Sequence, residues 1–144
     1  MKAASVIGLA VISLMSFAGS VVAEEKHDEG GYEMTTYVVG FLYRGPTWTP
    51  EPSEEVNRLQ VGHMSHITKM VETGKLILAG PFMDDGDLRG LFVFKLDGES
   101  PEAMVAQAEA MVAADPMVKA GRLVVKFHPW YSAEGISIVR PAQN

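Results

Sequence analysis

Cysteine is absent from all 144 residues. That absence excludes disulfides, thiolate metal sites, cysteine nucleophiles and lipid attachment through a cysteine. Basic clusters are absent as well. The 12 lysines and arginines are scattered against 18 acidic residues, for a net charge of −6. A nucleic-acid partner needs a basic footprint for its phosphates, so none is expected. The chain also has no GxSxG, P-loop or dinucleotide-binding pattern, and serine-hydrolase, nucleotide and NAD readings therefore lack support. No internal repeat is visible. What remains is 47% apolar and 21% charged, the balance of a domain that buries a real core.

Residues 1–23 differ from the rest. Lys2 gives a positive start, Val6 to Phe17 is apolar apart from small residues, and Val21-Val22-Ala23 precedes Glu24-Glu25. This three-part layout is that of a secretory signal peptide. Cleavage after Ala23 is expected, with a periplasmic or secreted product that keeps no stable membrane association. Residues 24–33 (EEKHDEGGYE) read as a flexible lead-in.

Periodicity then organises the chain. Met34 to Tyr43 reads as a strand ended by Gly45-Pro46, and Thr47 to Pro52 as a proline-bearing loop that carries Trp48. Ser53 is a suitable N-cap, Glu54 and Glu55 suit the positive end of a helix dipole, and Gly74 stops a helix reaching Thr73. Gly62 is a weak point inside it, costing about 1 kcal/mol against alanine. KLILAG (75–80) and GLFVFKLD (90–97) read as strands around a turn containing Asp84, Asp85 and Asp87. Ser100-Pro101-Glu102 opens a second helix, which Asp115-Pro116 ends. Arg122 to His128 is a fourth strand, and residues 132–144 form a tail whose apolar stretch, Ile136 to Val139, suits an edge strand. The order βαββαβ predicts an α+β, ferredoxin-like sandwich. Strands one to three are apolar on both faces at their centres, where a solvated face would alternate. A second copy packed sheet on sheet would cover that face, so a homodimer is expected.

His63 raises the functional question. Val56, Leu59, His63, Ile67 and Met70 share one helical stripe, so the imidazole is either a satisfied core group or faces a pocket. His66 makes an HxxH pair with it, but no third ligand stands at helical spacing, so no metal site is expected. The DDGD run lacks the spacing of a calcium loop and reads as a solvated turn. Arg89 is a candidate two-point clamp for a carboxylate or phenolate, or a surface partner of the neighbouring aspartates. His128, Trp130 and Tyr131 are candidates for the wall of a planar-substrate site, or for packing at a dimer seam. No cofactor is expected.

The order of motifs carries a resemblance. A helix with His63 eleven residues before Gly74 is followed by GKLILAGPF, DDGDLRG, DPMVKAGRL and FHPWY. Over about Thr36 to Tyr131 (a domain bounded at 34–131) this resembles the YCII-related family, dimeric α/β-barrel domains related to muconolactone isomerase-like folds. The resemblance implies the fold, the dimer and a cleft with a His-Asp pair, here His63 and Asp115. One branch of that family includes dechlorinating enzymes acting on chlorinated hydroxyquinols. Two functions compete: a cofactor-free enzyme using the pair for proton transfer on a cyclic or aromatic substrate, of isomerase or dehydrochlorinase/lyase type, and a non-catalytic periplasmic module that binds a small ligand.

Overall fold

The computed structural model describes residues 33–136. The segment expected to be a signal peptide, nearly all of the expected lead-in and the tail beyond Ile136 lie outside the described residues. The elements are β1 (Met34–Arg44), α1 (Glu54–Glu72), β2 (Leu76–Pro81), β3 (Leu88–Phe94), α2 (Pro101–Val112), α3 (Pro116–Lys119) and β4 (Leu123–Ala133). Among the described residues no helix is long and apolar enough to cross a membrane.

The helix ends follow the chemistry of their caps. The Ser53 hydroxyl accepts from the Val56 N–H, and the Ser100 hydroxyl accepts from the Ala103 N–H. Each satisfies a donor that the first helical turn leaves without a backbone partner. Gly74 ends α1 with φ of +74°, which glycine adopts without steric cost.

The four strands form one antiparallel sheet in the order β2-β3-β1-β4. With the helices on one face, this is the ferredoxin-like α+β sandwich. Strand parity sorts the apolar residues into two groups. Val38, Leu42, Phe92 and Phe94 meet Met70, Ala108 and Val112 of the helices. Tyr37, Val39 and Val93 form a second cluster, with Phe41, Leu91 and Ile77 packed against it.

Several boundaries differ from the sequence expectation: β3 spans Leu88–Phe94 instead of 90–97. Residues after Asp115 do not run straight into the last strand but form the single turn α3. And β4 passes through Pro129 to Ala133 instead of ending at His128. It is an edge strand, where a missing proline N–H breaks no ladder between two neighbours.

Candidate active site

Gly62 and Pro116 set the distance between α1 and α3. A Cβ built on Gly62 would stand 2.9 Å from Pro116 Cγ. The residue that weakens the helix is thus the one that admits the neighbouring turn. At this contact His63, 8% exposed, reaches Asp115, 0% exposed. His63 Nδ1 lies 2.7 Å from Asp115 Oδ2. On its other side the imidazole lies roughly parallel to the Phe92 ring, with centroids 6.4 Å apart.

Asp115 does two things at once. It is the N-cap of α3, its Oδ1 accepting from the N–H groups of Met117 at 2.8 Å and Val118 at 3.4 Å. Its other oxygen meets His63. Burial alone would push this carboxyl up. The hydrogen bond and charge of His63, joined by the two backbone N–H groups, outweigh burial and hold it below the ordinary carboxylate range. Asp115 is therefore a carboxylate at neutral pH and only accepts hydrogen bonds. Nδ1 must donate to it. In the neutral ring that leaves the lone pair on Nε2, the nitrogen facing away from Asp115. Nε2 has no hydrogen-bond partner among the described residues. The buried polar side-chain atom left unpartnered among them is Nε of Arg44. Nε2 is therefore not sealed in the core.

It opens on a cavity of about 430 Å³, of ordinary size for a small-ligand site. Leu42, Trp48, Ile67, Phe92, Met117 and Leu123 supply apolar walls. Thr49, Gln60, Arg89 and Arg122 supply polar groups. Arg89 arrives through a β-bulge. Leu42 pairs with Gly90 and Tyr43 with Leu88, which leaves Arg89 as the extra residue of β3. A bulge re-aims a side chain that alternation would send to the far face. Arg89 is braced by the carbonyls of Asp84 and Gly86, not by an aspartate carboxylate.

Arg122 and Trp48 escape a reading by periodicity. DPMVKAGR is a capped turn: Asp115 at its start, Pro116 at the first helical position, and Gly121 in the left-handed region at φ of +71°. The Gly121 N–H donates to Val118 O and the Arg122 N–H to Met117 O, closing a Schellman motif. One turn thus holds the carboxylate behind His63 and delivers Arg122 to the same cavity. The Asp at an N-cap, Pro after it and Gly at the exit were the signal; reading Asp-Pro as a helix terminator hides it. Trp48 is held by the Arg44 guanidinium, 4.0 Å from its ring centroid.

The other sequence candidates lie elsewhere. His66 Nε2 is 3.0 Å from Met111 O, so His63 and His66 have different partners. Among the described residues no group of three or more His, Asp or Glu is arranged to hold a metal ion. His128 pairs with Val39 and Trp130 with Tyr37 across the ladder. Directly paired residues share a face, so both belong to the face away from the helices and neither lines the cavity. The aspartate turn is exposed, Asp84 Oδ1 accepting from the Gly86 N–H.

Neither the known protein families nor the curated proteins contain a match to this chain. Among solved structures it is similar to a 5-chloro-2-hydroxyhydroquinone dehydrochlorinase from Burkholderia phenoliruptrix AC1100, in complex with 2,5-dihydroxybenzoquinone, at 15% identity and a TM-score of 0.42 over 67% of this chain and 93% of that one. A likeness of that size says nothing of what this chain binds or does.

Proposed function

We propose that this chain is a small-molecule enzyme that moves protons with the His63–Asp115 pair, as an isomerase or a dehydrochlorinase-type lyase on a cyclic or aromatic substrate. One observation carries the reading: Nδ1 is tied to a buried carboxylate while Nε2 opens on a ligand-sized cavity. Nε2 of the neutral ring takes a proton from an acidic carbon or hydroxyl of the substrate. The imidazolium that forms is stabilised by Asp115, which keeps the ring in the right tautomer and orientation throughout. Returning the proton to a different atom completes an isomerisation. If a leaving group departs with the electron pair instead, the proton passes on to water and the reaction is an elimination.

The largely apolar lining also suits a binding module with no turnover. A panel of cyclic unsaturated ketones, lactones and chlorinated hydroxyquinols, each tested with and without a ring carboxylate, separates the two. The enzyme reading expects turnover of at least one member, lost in His63→Ala with the fold retained. Saturable binding with no turnover across the panel would leave the module.

The proposal has two further parts. The layout of residues 1–23 supports export and cleavage after Ala23. The far face of the sheet supports a homodimer. It presents Val124 at 42% and Trp130 at 43% exposure beside the buried Tyr37 and Val39.

A further inference from the structure

Arg122 is the least expected group in the cavity. It is 9% exposed, which is rare for a guanidinium unless it is paired. Yet among the described residues no carboxylate is its partner. Its Nη1 donates to Thr47 O at 3.2 Å and Thr49 Oγ1 at 3.3 Å, and its Nη2 to Thr49 O at 2.9 Å. All three acceptors are neutral. They fix the plane of the group without cancelling its charge. Among the described residues Nε–H and one N–H of Nη2 remain without a partner, and Nε is not among the buried unpartnered atoms.

The surroundings repeat the pattern. Arg89 lines the same cavity and is likewise braced by carbonyls. Among the described residues no aspartate or glutamate lines it; Asp115 stands behind His63, committed to that ring and to two backbone N–H groups. A chain of net charge −6 thus has a cavity whose formal charges, among the described residues, are two guanidiniums. A buried cation held by dipoles alone leaves its attraction for an anion unspent.

We infer that the cavity takes a cyclic substrate bearing a carboxylate, and that Arg122 is the residue that seats this group while the ring lies among Trp48, Phe92 and Met117. A guanidinium presents parallel N–H donors that match the two oxygens of a carboxylate. The apolar walls accept the ring, and His63 Nε2 faces the same space. The inference rests on reading this cavity as the substrate site, and it assigns that site's substrate class.

Benzoate and its neutral isostere benzamide are the probes, titrated into ¹⁵N-labelled protein. Benzoate is expected to shift the Trp48 indole and Arg122 Nε–H signals saturably, leaving the Trp130 indole on the far face unmoved. Benzamide should bind at least about tenfold more weakly, the loss expected for one charge-assisted contact. In Arg122→Met the two probes should bind alike. Arg122 also ties down the Thr47–Thr49 loop, so this variant is read only with its melting curve; the wild-type comparison stands without it. Benzamide binding as tightly as benzoate, benzoate leaving Trp48 unmoved, or an undiminished preference in folded Arg122→Met would overturn the inference. A preference for benzoate without turnover across the substrate panel would instead sink the enzyme reading and leave this one standing.

Discussion

His63 was legible as a question but not as an answer. Its place on an apolar stripe restricts it to a core group or a pocket group, and spacing alone does not choose. The choice depends on Asp115, 52 positions away, which spacing does not reach; the family resemblance implied it, and the fold brings it within 2.7 Å. The pair makes a pH prediction. The folded Asp115 carboxyl titrates below its ordinary value. Its contribution to stability is therefore complete above the ordinary carboxylate range and is lost as pH falls through that range to the lowered folded value. Asp115→Asn keeps a capping oxygen for α3 but loses the charge. At neutral pH it should cost about 1.5–3 kcal/mol, the worth of a hydrogen bond to a charged group. Thermal melts across the acid range should show this gap closing as pH falls. A gap that stays constant would mean that Asp115 is not ionised in the folded protein.

At the scale of elements, the capped helices were readable because Ser53, Ser100 and Gly74 announce their roles locally. The turn α3 was not, because four residues have no periodicity to detect and Asp-Pro reads equally well as an ending. Its entry residue, Asp115, serves the imidazole, and its exit residue, Arg122, lines the cavity. Gly62 is the test of this arrangement. By helix propensity alone, Gly62→Ala should stabilise the protein by about 1 kcal/mol. Against that, the new methyl meets Pro116 Cγ at 2.9 Å, and a proline ring yields little. The variant is expected to melt lower than wild type and to lose at least about tenfold in kcat/KM as α3 is pushed from His63. A higher melting temperature with unchanged kcat/KM would show that the close approach has no role in the site. The positions of Arg89, His128 and Trp130 carry the same lesson. Alternation places the last two correctly on one face, but which face holds the cavity is a tertiary fact. For Arg89 a bulge reverses the alternation altogether.

For the whole molecule, the order of elements was readable from period and punctuation, and the sheet follows it. The doubly apolar strands also show in the structure as two clusters on opposite faces. Sheet-on-sheet pairing of two chains is the proposed use of the second. Sedimentation at micromolar concentration should find two chains per particle, and Trp130→Glu should shift the population to one. A wild-type monomer would mean that the second face needs no copy of this chain.

The proposed activity rests on proton abstraction by His63. The direct measurement is exchange in D₂O of the acidic proton of whichever panel substrate turns over best. Wild type is expected to introduce deuterium well above the buffer rate, and His63→Ala only at the buffer rate while remaining folded. Exchange by folded His63→Ala at the wild-type rate would contradict the account.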